Sequence, residues 1–207
     1  MTEPASFIFS LLNFYSFLVF YKRVKVMNRI ENNRAWIIYS LVGLVTWSFS
    51  AVFHARDCWF TEYLDYFSAF AFVLCASYVS LCLTQSCLCL STNRAWWTYV
   101  LHRQHFDYGY NMRCCIGVSL LTTAMYLMYI ARRWRQSRRL SRSDCMLLGI
   151  ILWTNGSVLL ETLDFAPLFW LFDAHSLFHA ATVPLPSYLY TFLNQRLKEE
   201  SMHGKNV

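Results

Sequence analysis

Of the 207 residues, 57% are hydrophobic and only 14% charged, whereas an ordinary soluble domain carries about a quarter of its residues as charges; a water-soluble enzyme is excluded. Each crossing of the hydrocarbon core takes roughly 20 apolar residues, so residues 1–207 have room for about seven spans in a single domain and for no appended one. The net charge of +6 is clustered and forms no aromatic-interleaved stripe, which excludes a nucleic-acid partner.

The first apolar run, 5–21, has Glu3 before it and Lys22, Arg23 and Lys25 behind it. A signal peptide has its positive charges first, so this run is expected to be a retained first span. Further spans are expected at about 35–53, 65–83, 87–105, 114–131, 145–163 and 168–193. The fourth is the poorest, because Asn93, Arg94, His102 and Arg103 interrupt it and a charge at mid-membrane costs about 2.5–3.5 kcal/mol. Lys22, Arg23, Lys25, Arg29 and Arg34 precede the second span, and Arg132, Arg133, Arg135, Arg138, Arg139 and Arg142 precede the sixth. Basic loops stay cytosolic, which puts both loops and the tail 194–207 in the cytosol and the amino terminus in the lumen. The eight cysteines, Cys87-x-Cys89 and Cys114-Cys115 among them, lack the spacing of a zinc knuckle and are expected to pack as small apolar residues. The expected fold is an all-α polytopic membrane protein, a seven-helix transmembrane bundle.

Ionisable side chains inside spans are costly and by default point to function. The seventh span holds Asp173-Ala-His175-Ser-Leu-Phe-His179, whose histidines lie four apart and share a helical face. Ser50 and His54 are likewise four apart at the end of the second span, and Asp65 stands at the entry of the third. Any one of these has a structural explanation: the histidine pair can be a packed, hydrogen-bonded pair, the serine can bond back to a carbonyl, and the aspartate can cap its helix. Together, at one expected depth, they predict a catalytic metal site: His54, His175 and His179 as the three-histidine shell usual for Zn²⁺ with an open fourth position, Asp65 for proton transfer, and Ser50 to orient a water or steady an oxyanion. A serine nucleophile at Ser50 is disfavoured, because no Gly-x-Ser-x-Gly elbow surrounds it and the paired histidines would have no role.

Five stretches carry a family resemblance: Ser50-x-x-x-His54-Ala-Arg-Asp57; Thr61-Glu62-Tyr-Leu-Asp65-Tyr-Phe-Ser68; Phe106-Asp107-Tyr-Gly-Tyr-Asn111; Leu160-Glu161-Thr-Leu-Asp164-Phe-Ala-Pro167-Leu-Phe-Trp170; and Asp173 to His179. They resemble the post-GPI-attachment lipid-remodelling proteins, within the wider CREST group of seven-span hydrolases that includes the alkaline ceramidases. The resemblance runs over about 5–193 and implies zinc ligands at His54, His175 and His179 and a water-handling pair at Ser50 and Asp65. It further implies a phospholipase A2-type hydrolysis of the sn-2 acyl ester of GPI-anchored proteins, at the lumenal face of the Golgi membrane or, alternatively, the endoplasmic reticulum. Members of that family usually begin with a signal peptide and a cysteine-containing lumenal domain, whereas here the first span opens at Ala5. Asp57, Asp107, Glu161, Asp164 and Asp173 also match and are expected to support helices and histidines. The rival readings are a ceramidase-like amide hydrolase using the same metal, and a non-catalytic relative that binds GPI lipid.

Overall fold

The computed structural model describes residues 3–30, 32–84, 108–163, 165, 167–168 and 171–203. Among them the chain is all-α: α1 (Pro4–Lys25), α2 (Asn33–Ala55), α3 (Trp59–Thr84), α4 (Tyr108–Ser137), α5 (Arg142–Thr162), α6 (Ala174–Thr182) and α7 (Leu185–His203). The first five are each long and apolar enough to cross a membrane. The expected span at 87–105, Cys87, Cys89, Asp107 and Asp164 lie outside the described residues. The six described cysteines are free thiols, with Cys58 and Cys145 exposed rather than packed.

Helix α1 opens on Pro4, whose fixed φ and missing N–H suit a first turn, and closes on Lys22, Arg23 and Lys25, which complement the carbonyl end of the helix dipole. It packs along α2, α2 along α3, and α3 along α4; α6 and α7 lie against α1 and α5. Apolar side chains pointing outward from α4 and α5, such as Leu120, Leu121, Met128, Leu152 and Leu159, are exposed, as a lipid-solvated wall requires.

The core between α1, α2 and α3 is aromatic. Phe17 meets Phe72 edge-on at 5.4 Å between centroids, Tyr39 stacks on Phe72 at 5.0 Å, and Phe20 meets Trp36 edge-on at 6.5 Å, geometries that the ring quadrupoles favour. Gly43 lets α2 approach this cluster, since a Cβ placed there would lie 2.5 Å from two atoms of the Phe17 ring.

The basic loops meet at one end of the bundle. Arg23 lies over the ring of Tyr190, and Arg133 and Arg196 both lie over that of Tyr129. Ser141 caps α5 in a reciprocal box with Asp144, and Arg133 Nε reaches the Asp144 carboxylate at 2.8 Å. Ser143 donates its backbone N–H and its hydroxyl to Glu199, at 3.0 and 2.6 Å, tying α5 to α7. Burial works against ionisation of Glu199, but the hydrogen bonds from Ser143 and Gln195 outweigh it and hold the carboxyl below its ordinary value. A depressed carboxyl contributes stability above its unfolded pKa and loses it as pH falls through the folded one. Ser143→Ala is therefore expected to cost about 1.5 kcal/mol at neutral pH, read as a lower melting temperature in detergent, with the difference from wild type closing below roughly pH 4.

The residues of the expected seventh span are divided. Residues 168 and 171–173 are not helical: Leu168 and Phe172 form an isolated bridge, with Leu168 N–H donating to the Phe172 carbonyl at 2.7 Å. Asp173 then starts α6, accepting from the Ser176 N–H at 2.7 Å in a capping box. Helix α6 ends at Thr182, and Pro184, which has no N–H, stands between it and α7. The Ser16 hydroxyl donates to the Val183 carbonyl at 2.7 Å, so α1 satisfies an oxygen at the break.

Candidate metal centre

The capping box at Asp173 sets where α6 begins, and hence places His175 in its first turn and His179 one turn further along the same face. His54 is the last buried residue of α2. The three rings converge, with centroid separations of 5.2 Å for His54 and His175, 5.1 Å for His54 and His179, and 4.4 Å for His175 and His179. One nitrogen from each lies within 4.8 Å of the others. The cluster sits at the opposite end of α1 and α2 from the basic loops: it is bordered by the start of α1, the end of α2 and the end of α5.

Each imidazole is held through Nδ1. Glu3 Oε2 lies 2.8 Å from His54 Nδ1, Glu161 Oε2 lies 2.8 Å from His175 Nδ1, and Ser10 Oγ lies 3.0 Å from His179 Nδ1. The bond to His54 holds the Glu3 carboxyl below its ordinary value, so an anion faces that ring. Carboxylates accept, which places the proton of His175 on Nδ1. Ser10 donates its single hydrogen to the Ser6 carbonyl at 2.7 Å, and so it too accepts from the ring. The Nε2 atoms of His54 and His175 are 3.3 Å apart, within reach of one another.

Nitrogens bound to zinc at about 2.05 Å in a tetrahedron are separated by roughly 3.3 Å, which is the spacing found. Imidazoles anchored at Nδ1 by carboxylate or hydroxyl are the usual support of a bound transition metal. The three imidazoles could therefore hold a single metal ion.

Ser50 and Asp65 are both buried beside this cluster. Ser50 Oγ is 3.2 Å from Ser10 Oγ, and its hydroxyl faces the Asp65 carboxyl. All five residues expected from sequence are thus brought together. Asp65 is not at a helix entry, because α3 begins at Trp59, and so it does not cap that helix. Of the supporting acids, Glu161 bonds to His175 and Asp173 caps α6, while Asp57 is exposed at the surface beyond α2.

Glu3, Ser10 and Asn13 join the site without having been expected there. Asn13 Nδ2 donates to the His179 carbonyl at 2.8 Å. Their signal is present in the sequence: Glu3, Ser6, Ser10 and Asn13 recur at intervals of three, four and three, one polar stripe along an otherwise apolar helix. Hydrophobicity and flanking charge identify the first run as a span but are blind to the stripe inside it.

Comparison with known proteins agrees with the motifs. The model of the Per1-like family matches residues 1–197. The chain is 34% identical over 203 residues to the mouse protein named "GPI-specific phospholipase A2-like PGAP3", covering 92% of this chain and 62% of that one. The human protein of the same name is 32% identical with the same coverage, and the fission yeast (Schizosaccharomyces pombe) "Protein PER1 homolog" is 31% identical, covering 98% of this chain and 65% of that one. The chain spans a little over three fifths of the length of these relatives. No solved structure matches it.

Proposed function

Since the chain belongs to the Per1-like family, we propose that it is a zinc-dependent lipid ester hydrolase of GPI-anchor remodelling, cleaving the sn-2 acyl ester of the lipid on GPI-anchored proteins. The observation that carries this reading is the grouping of three imidazoles, each anchored through Nδ1, beside a buried carboxyl and a buried hydroxyl. The names of the relatives supply the substrate class. In this reading the bundle crosses seven times, with 87–105 as the fourth crossing and α6 and α7 in series as the seventh. The histidines then face the lumen of the Golgi, or of the endoplasmic reticulum, where GPI lipids are exposed, and the basic loops face the cytosol.

His54, His175 and His179 would hold the ion, whose chemistry is to acidify a bound water from a pKa of 15.7 toward about 7 and to polarise the ester carbonyl. Asp65 takes the proton given up by the attacking water and returns it to the glycerol oxygen as the acyl bond breaks. Ser50, facing Asp65, orients that water. Glu161 and Glu3 keep the rings turned to one point, and the buried setting limits competing water.

The test is expression of His175→Ala in cells that lack GPI fatty-acid remodelling, with the acyl composition of GPI anchors read by mass spectrometry. Wild type is expected to restore the remodelled composition, and His175→Ala is expected to reach the membrane and restore nothing. Restoration by the variant would defeat the catalytic reading. A rise in sphingosine on expression of the wild type, without lyso-GPI, would assign the site to amide cleavage of ceramide, and stoichiometric zinc with no acyl release would assign it to lipid binding.

A further inference from the structure

Resting on the metal reading above, we infer that α1 and the Glu3 that precedes it carry two positioning residues, Glu3 for His54 and Ser10 for His179, through which the first helix sets metal affinity without touching the metal. An imidazole turns about a broad, roughly two-fold χ2 torsion, and a half-turn replaces a ligating nitrogen by a carbon. A partner on Nδ1 removes that freedom and fixes the direction of Nε2. Two of the three rings receive this partner from α1, and the third receives it from Glu161 on α5.

The attachment of α1 to these rings is made at more than one point. Besides the carboxylate contact, the Glu3 N–H reaches toward the His54 carbonyl at 3.5 Å, so the start of α1 meets both the main chain and the ring of one histidine. His179 is gripped in the same double fashion, its ring by Ser10 and its carbonyl by Asn13, whose Nδ2 also bonds the Phe9 carbonyl at 3.0 Å and is thereby held on its own helix. The edge of Trp47 packs on the His179 ring from α2 at 5.1 Å between centroids. Glu3 is not part of the group of three nitrogens, and Ser10 meets its histidine at Nδ1. Their polar spacing along α1 thus has its explanation in the imidazoles, and not in a lipid-facing or helix-packing role.

The experiment measures zinc affinity of the purified full chain in detergent by competition with a chromogenic chelator, alongside the melting temperature of the metal-free protein. Glu3→Gln and Ser10→Ala are each expected to weaken zinc by about 10–100-fold with the metal-free melting temperature unchanged, while Glu200→Gln, at the opposite end, leaves the affinity as in wild type. In a His54→Ala background, Glu3→Gln is expected to weaken zinc no further, whereas Ser10→Ala still does, because it acts through His179. Wild-type affinity in Glu3→Gln and Ser10→Ala would overturn the inference, and so would a Glu3→Gln effect that persists without His54 or that tracks a fall in metal-free stability. A wild-type chain that binds no zinc at all would instead remove the metal reading on which the inference stands, so the two failures are told apart in one assay.

Discussion

Asp65→Asn is expected to lower acyl release from a GPI lipid by about 10²–10⁴-fold, the usual range for loss of a positioned proton-transfer group, while bound zinc stays at the wild-type level. The reason lies in the separation of roles at the site. Three histidine nitrogens form the candidate ligand group, and the Asp65 carboxyl stands outside it, facing Ser50. Asparagine keeps the shape of the side chain and its capacity to face Ser50 but cannot carry a proton to the leaving oxygen. Metal analysis by mass spectrometry together with lyso-GPI release would decide the matter: an Asp65→Asn protein that loses its zinc would make Asp65 a ligand, and one that keeps full turnover would make it a bystander.

Gly43→Val is expected to destabilise the bundle by about 1–3 kcal/mol, measured as a lower melting temperature and a lower yield of folded protein from membranes. Even the first added carbon would lie 2.5 Å from two Phe17 ring atoms, far inside van der Waals contact. Phe17 has no room to retreat, because it is buried and bordered by Phe20, Tyr39 and Phe72. The helices must separate instead. Since α1 supports His54 and His179 from the same side on which it meets α2, zinc affinity is expected to fall along with stability. Gly156→Val is the matched control, as a Cβ there meets nothing within 4 Å.

The five candidate residues are legible in the sequence because the relevant information is short-range. Four-residue spacing alone puts His175 with His179 and Ser50 with His54, whatever the rest of the bundle does. The meeting of His54 and His175 at 3.3 Å, across 121 residues of chain, is of another kind: a shared depth makes it possible, but depth leaves the order of helices around the bundle open. The helix boundaries are less legible. Leu168, Leu171 and Phe172 are as apolar as the helix that follows them, so hydrophobicity carries no mark of the bridge between Leu168 and Phe172; that mark is Asp173, whose side chain caps Ser176. In the sequence Glu3 is only a charge flanking a span, and it takes the fold to turn its carboxylate back onto an imidazole.

The proline joint between α6 and α7 has a mechanical consequence. A continuous helix acts as a rod and carries a twist or tilt from one end to the other, whereas a chain interrupted at Pro184 absorbs it locally. The short helix bearing His175 and His179 is clamped by Asn13 on one side and by the Trp153 indole, which donates to the Ala181 carbonyl at 2.7 Å, on the other. A tilt of the carboxyl-terminal rod is thus expected to bend the chain at Pro184 before it disturbs the three imidazoles.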